Sequence, residues 1–426
     1  MTVAFVGLSH LGIVSSIGWA SLGEPTLALD SDANLIEDLQ QGRLPIYEPG
    51  LEQLLSTSRA KIDFSCRIQD LATCDAVIIS RDVPTSDANL SDLAPIQSLI
   101  AEVLPHLRPQ CVLVIMSQVS PGFCRKLRDD LNASRPDLQI RVLYWVETLI
   151  FGRAVERFLH PERLIIGSDE PAANLPESLS HGFQQLGCTV LQMKYESAEL
   201  TKTAINLFLA ASVTYANTLA DVCEVVGADW CEMIPALQLD GRIGPKAYLQ
   251  PSLGFAGGNL ERDLVTVQSV CRARGVDAGL LDEVLAFNYR RYHWVVLKVR
   301  QLVFGHGKRP VIGLWGLTYK KDTHSTKNSP ALQFIRDFHA AADIRAWDPA
   351  VTSADVEMPI TLVSQRDDVL DNADALVIMN DWTNFSTPDV PAMVQRMRRP
   401  LVIDCSGVLL SRRTELGGIE YSAMGL

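Results

Sequence analysis

Residues 252–264 read SLGFAGGNLERDL. Gly254, Gly257 and Gly258 surround an amide, Asn259, and the charged pair Arg262 and Asp263 closes the run. Glycines this dense let something come close to the main chain, either a ligand or another segment. The stretch has the makings of a buried catalytic wall, but an amide nitrogen delocalised into its carbonyl is no nucleophile. A second pattern lies at the start of the chain. GLSHLG, residues 7–12, follows the apolar run TVAFVGL and precedes a helical pattern, the context that a dinucleotide-binding turn requires. Gly7 would make the tight turn and Gly12 the close helix–strand contact, with Ser9, His10 and Leu11 facing the cofactor. The Ser9 side chain either crowds the pyrophosphate or donates a hydroxyl hydrogen bond to it. Asp30 ends the next strand at the right distance for a ribose 2′-hydroxyl, as in NAD rather than NADP use. An ordinary βαβ turn without ligand has the same pattern; strand context and Asp30 favour NAD.

These residues need elements to hold them. TVAFVGL (2–8), PTLALD (25–30), DAVIIS (75–80), QCVLVIMS (110–117) and ERLIIGS (162–168) read as buried strands separated by amphipathic stretches. That alternation predicts right-handed crossovers and a parallel sheet covered on both faces. From Ser197 the pattern becomes one long helix, and a second spans Ala278 to Phe304, with the glycine-rich loop between them. Strands return at 310–316, 344–348, 375–380 and 400–404. The expected fold class is α/β: a Rossmann-type parallel sheet over 1–196, a long-helix section over 197–306, and a smaller Rossmann-like α/β domain over 307–426.

Composition narrows the function classes. A net charge of −12 with no basic run argues against a nucleic-acid partner. No apolar stretch has membrane-spanning length and the first residues lack signal-peptide sections, so no membrane partner and a cytoplasmic location are expected. The nine cysteines are scattered without CxxC spacing, which predicts reduced thiols and no metal.

Several stretches together resemble, in order, the UDP-glucose/GDP-mannose dehydrogenase family: PIYEPGL (45–51), VETLIFGRAVERFLHPERLIIG (146–167), AELTKTAINLFLA, GRIGPKAYLQPSLGFAGGNLERD and GLTYKKDTHSTKNSPAL. The likeness runs from Gly7 to the LVIDCSGVL strand at 401–409. It implies an NAD-binding Rossmann domain, a central helix that builds a homodimer, and a C-terminal domain that holds the nucleotide of a nucleotide-sugar substrate. Family members oxidise a sugar C6 alcohol to a carboxylate in two hydride transfers, through a cysteine thiohemiacetal and thioester.

Carried over residue by residue, Lys202 falls on the lysine that stabilises developing oxyanion charge, and Asn206 on its companion amide. Asp263 falls on the aspartate that assists water activation or proton transfer, and Glu147 on a glutamate near the nicotinamide and the catalytic water. The resemblance further assigns Pro84, Ser117, Gln118 and Lys327 to the cofactor. It assigns Thr148, Leu149, Arg242, Tyr248, Ser252, Gly254, Phe255, Gly257, Tyr319 and Lys320 to the substrate.

Departures from the family pattern bear on the chemistry. Asn259 stands at the position of the cysteine nucleophile, so the thioester route is closed there. Arg262 replaces a lysine, Lys327 an arginine, Gln118 and Val83 threonines near NAD, and Ile150–Phe151 a charged pair beside the sugar. Three readings follow: a two-electron oxidoreductase of nucleotide sugars, a full dehydrogenase with a differently placed nucleophile, or an inactive homologue that binds a nucleotide or a partner. The retained lysine, amide and aspartate favour the first.

Overall fold

The computed structural model describes residues 1–86, 89–256, 259–305, 308–352 and 358–426. The chain divides into two compact units, Met1–Ala204 and Ile205–Leu426, and the division falls inside the helix Tyr195–Val226.

The first unit is built on eight strands: β1 (Val3–Val6), β2 (Thr26–Leu29), β3 (Ile62–Ser65), β4 (Ala76–Ile79), β5 (Val112–Ile115), β6 (Arg141–Trp145), β7 (Arg163–Ser168) and β8 (Thr189–Lys194). Their order across the sheet is β3-β2-β1-β4-β5-β6-β7-β8. The first six are parallel, as the strand–helix alternation predicts, and the order reverses between β1 and β4, where such sheets bind ligands at the strand carboxyl ends. The parallel expectation fails at one place: β7 runs antiparallel to β6. The segment after β6 turns back at the carboxyl edge of the sheet, with only the short helix Ala154–Leu159 packed on the helix His10–Ser21, and the chain re-enters from that same edge. Glu147 therefore lies directly beyond the carboxyl end of β6.

The strands are four to six residues long, and the central ones carry apolar side chains on both faces because helices cover both. One face centres on Trp19, fully buried against Phe5, Trp145 and Phe183 with ring centroids 5.7–6.4 Å apart. Gly182 is required there, since a Cβ on it would come within 2.2 Å of the Trp19 ring. Burial pushes the Cys74 thiol up to about 11 and Cys111 to about 12, which keeps both protonated and inert.

The second unit contains the rest of the long helix, the helices Trp230–Leu239, Asn259–Arg274, Gly279–Arg291 and His293–Leu302, and a six-stranded parallel sheet. The single helix expected over 278–304 is interrupted at Tyr292. Its backbone stays in the right-handed region while its hydroxyl bonds Asp337, so the break is a small offset without proline or glycine. The sheet comprises β9 (Val311–Trp315), β10 (Asp343–Trp347), β11 (Thr361–Leu362), β12 (Ala375–Ile378), β13 (Leu401–Asp404) and β14 (Glu420–Ala423). Its order, β11-β10-β9-β12-β13-β14, repeats that of β3-β2-β1-β4-β5-β6.

The repetition extends to the turns. Gly7 (φ +90°) donates its N–H to the carbonyl of Leu29, and the next amide, of Leu8, donates to Asp30 Oδ2 at 2.7 Å. Gly316 (φ +91°) donates to Trp347, and the amide of Leu317 donates to Asp348 Oδ2 at 2.7 Å. Both positions take a positive φ that glycine adopts without a Cβ penalty. Among the described residues, no helix is long and apolar enough to cross a membrane.

Candidate functional site

In the first unit the dinucleotide turn has the frame its glycines predict. A Cβ on Gly12 would stand 2.2 Å from the Gly7 carbonyl oxygen, so the helix His10–Ser21 packs on β1 at a distance only glycine permits. This cradle and the helix start beyond it fit an NAD pyrophosphate. Asp30 differs from expectation in one respect. Its carboxylate already holds the turn, accepting Leu8 N–H at one oxygen and Asp32 N–H at the other. Ser9 does not cap its own helix; its Oγ accepts the backbone N–H of Asp82 at 2.8 Å. The Asp82 carboxylate in turn accepts Leu11 N–H at 3.1 Å. The His10 ring bonds Glu48 at 2.8 Å and packs on Phe151 with centroids 4.4 Å apart. Ser117 is buried and donates its hydroxyl to the Arg81 carbonyl at 2.6 Å, Gln118 is half-buried, and Pro84 is exposed.

Glu147 and Lys202 meet. Lys202 Nζ lies 2.8 Å from Glu147 Oε1 and donates to the Glu147 carbonyl at 3.1 Å, with both side chains under one-fifth exposed. Glu147 Oε2 also accepts Leu149 N–H at 2.9 Å, and Thr148 gives its carbonyl to Arg157. Glu147, Thr148 and Leu149 line a small open pocket together with Ser15, Met116 and Trp145. A buried cation beside a carboxylate at a strand's carboxyl end can balance charge that develops on a bound oxygen.

In the second unit, Asp263 is 1% exposed and accepts Asn206 Nδ2 at 2.6 Å and Arg262 Nε at 3.2 Å. Asn259 opens the helix Asn259–Arg274 and is exposed, whereas Glu261, two residues on, is buried and accepts the amides of Asn288 and Asn328. Gly257, predicted to touch substrate, and its neighbour Gly258 lie outside the described residues. At Gly254 (φ +96°) what comes close is another segment: a Cβ there would be 2.3 Å from Asn288 Oδ1. Asn288 holds both backbone groups of Phe255, at 2.7 and 2.9 Å, and the Phe255 ring is buried beside Ala210, Leu264 and Val284. Asn217 accepts Ser252 N–H at 2.8 Å, and Arg291 donates to the Ser252 carbonyl at 3.1 Å.

The remaining predicted residues are dispersed. Arg242 is exposed with its guanidinium forked on Asp240, Tyr248 is half exposed, and Lys320 sits over the Tyr319 ring, whose hydroxyl is shifted up by burial. Lys327 is half-buried in the loop ahead of the helix Pro330–Phe338. Sequence reasoning missed Asp82, Glu48, Asn217, Asn288 and Glu261. Of these Glu48 and Glu261 carried a signal, since each lies inside a quoted motif; Asn217 and Asn288 look like ordinary helix-surface amides until the loop is seen between them.

Three models of one family match in sequence along the chain: its NAD binding domain over residues 1–186, its central domain over 196–290 and its UDP binding domain over 313–411. The chain belongs to the UDP-glucose/GDP-mannose dehydrogenase family. Its NAD-binding domain makes NAD the cofactor. Among its relatives, the UDP-glucose 6-dehydrogenase of Rickettsia bellii is 28% identical over 435 residues, covering 100% of this chain and 99% of that protein. The UDP-glucose 6-dehydrogenase of Rhizobium meliloti is 27% identical with the same coverage. In fold the chain resembles a UDP-glucose dehydrogenase from Pyrobaculum islandicum, with a TM-score of 0.85 at 24% identity, covering 99% of this chain and 96% of that one. It also resembles a UDP-D-ManNAc dehydrogenase from Pyrococcus horikoshii, with a TM-score of 0.86 at 24% identity, covering 100% and 99%. The chain is thus an α/β member of a family of NAD-dependent nucleotide-sugar dehydrogenases.

Proposed function

We propose that this protein is an NAD-dependent oxidoreductase of a UDP-glucose-like nucleotide sugar, limited to two-electron hydride transfer or to oxidation without a thioester. The observation that carries the reading is the buried carboxylate of Asp263, on a helix that Asn259 rather than a cysteine opens, with Asn206 as its donor, four residues along the long helix from Lys202. NAD supplies the hydride acceptor. In the proposed step the sugar C–H bond breaks as its electron pair leaves with the hydride, and the alcohol proton passes to Asp263 directly or through one water. Lys202 and Asn206 lower the energy of the oxygen as it gains charge. Glu147 holds the Lys202 ammonium in place beforehand. With Asn259 opening the helix where the family resemblance puts the cysteine, the carbonyl product is released, returned at an epimerised carbon, or oxidised again as its hydrate.

A second reading, binding without turnover, draws support from the same pair: the Lys202 ammonium is already engaged by two oxygens of Glu147. One experiment separates the two. The protein is incubated with NAD and UDP-glucose or other nucleotide sugars, absorbance at 340 nm is followed, and sugar products and deuterium wash-in from 4-deuterated NADH are read by mass spectrometry. Two-electron chemistry gives NADH or labelled sugar with Lys202 intact, and neither with Lys202→Met, while nucleotide-sugar binding survives in both. No turnover and no label with any sugar overturns the oxidoreductase reading.

A homodimer is part of the proposal. Phe208, Tyr215 and Val222 recur every seven residues on the long helix and are 74%, 51% and 48% exposed, with Val225 at 86%. Large apolar side chains in a heptad seam suit a second copy of the same helix. Phe208→Glu with Tyr215→Glu should convert a dimer to a monomer in light scattering; an unchanged mass refutes this face.

A further inference from the structure

The amide that a dinucleotide's diphosphate would use is already taken by a carboxylate of the protein. Ser9 stands at the N-cap of the helix His10–Ser21, where a serine ordinarily accepts an N–H of its own first turn. It makes no such bond; its Oγ faces away and accepts the backbone N–H of Asp82 at 2.8 Å. Asp82 arrives from beyond β4, across the point where strand order reverses, and its Oδ2 accepts the first-turn amide of Leu11 at 3.1 Å. The capping task has moved from the turn to its neighbour. Asp30 places a second carboxylate on the same turn at Leu8 N–H. A helix start framed by Gly7 and Gly12 attracts phosphate through these N–H groups and the positive end of the helix.

We propose that Asp82 is an internal stand-in for the diphosphate, locked by Ser9, and that NAD binds only by displacing it. Displacement is feasible because Asp82 is exposed, so its carboxylate can swing into water without a desolvation cost. The proposal rests on the NAD reading and adds a residue that sets how tightly, and through which part of the cofactor, NAD is held. Asp82→Gly removes both the hydrogen bond and the charge. Asp82→Asn keeps an oxygen for Leu11 and removes only the charge. Ser9→Ala unlocks the loop and leaves the carboxylate.

The test is binding, free of turnover. Titration calorimetry with NADH, ADP-ribose and adenosine is run on the wild type and the three variants, each checked for its fold by circular dichroism. Asp82→Gly and Asp82→Asn should bind NADH and ADP-ribose roughly three- to thirtyfold tighter, the range of a single capping interaction, with a smaller gain for Ser9→Ala. Adenosine, which has no diphosphate, should show no gain. In the ligand-free protein, deuterium exchange at the 8–13 segment should quicken in Asp82→Gly. Equal or weaker binding of ADP-ribose by both Asp82 variants overturns the stand-in alone. A gain of the same size for adenosine also overturns it. No binding of NADH or ADP-ribose by any form overturns the stand-in together with the NAD reading.

Discussion

Replacing Glu48 by alanine tests how the dinucleotide turn is tied to the loop that follows β6. The Glu48 side chain is 1% exposed and accepts three donors: Gly152 N–H at 3.0 Å, Ala154 N–H at 3.1 Å and the His10 ring at 2.8 Å. It also places a negative charge at the start of the helix Ala154–Leu159. In Glu48→Ala the Ala154 amide, on a fully buried residue, has no acceptor, while the half-buried Gly152 amide regains some water. An orphaned buried donor costs about 1–3 kcal/mol, so the two amides together set a local loss of about 3 kcal/mol. At 1.4 kcal/mol per tenfold, that is roughly a hundredfold faster opening. Deuterium exchange read on a peptide covering 150–156 measures it directly, and is preferable to a single melting temperature because the chain has two compact units. Glu48→Gln, which keeps one oxygen, should lose about half as much in free energy. Exchange within about twofold of wild type in Glu48→Ala would refute the assignment of this carboxylate as the anchor of the loop.

Further expectations follow from the same geometry. Gly12→Ala drives a Cβ to 2.2 Å from the Gly7 carbonyl, so the first helix must lift off β1; thermal unfolding should drop by several degrees and NADH affinity should fall with it. Asn288→Ala removes both hydrogen bonds to Phe255, worth about 2 kcal/mol together, and exchange over 252–256 should rise without loss of the surrounding helices. Asp263→Asn, which keeps the size but not the charge, should abolish turnover while nucleotide-sugar binding changes less than tenfold; retained turnover would remove Asp263 from the proposed chemistry. Glu196 is hydrogen-bonded by Arg125, which lowers its carboxyl below the ordinary 4.5. The pair's stabilisation is present above pH 4.5 and is lost as pH falls through the lowered folded value, so Glu196→Gln should flatten that acid limb in a urea-midpoint series.

Most strands of the sheet centres were legible because burial on both faces leaves uninterrupted apolar runs such as Ala76–Ile79 and Val112–Ile115, although the interior β6, Arg141–Trp145, was not read as a strand. Strands at the margins were not. β8 is an exposed edge with mixed residues and β11 has two residues, so neither has a pattern to read. The antiparallel return of β7 had no signal at all, because it depends on which edge the chain re-enters rather than on any residue type. At the site, Lys202, Asn206, Asp263 and Glu147 were reached through resemblance, and Arg262 as a departure from it; that Glu147 pairs with Lys202 and Arg262 with Asp263 was not legible. Asp82 was invisible because its meaning lies in a contact with Leu11, 71 residues away in sequence.

Asp30 and Asp348 form matching bonds in matching turns, one in each sheet. The molecule therefore contains its own control. A substitution at Asp30 is bound to loosen the turn after β1 whatever it does to a ribose, so a loss of NAD affinity in Asp30→Ala alone would say little about recognition. The same change at Asp348 reports the mechanical cost of the device in a setting assigned to a different nucleotide. Asp348 also accepts the Thr318 N–H and hydroxyl and the Trp382 indole, so its loss sets an upper bound on the mechanical cost of the turn bond, and a larger loss at Asp30 would point to a contribution beyond the turn.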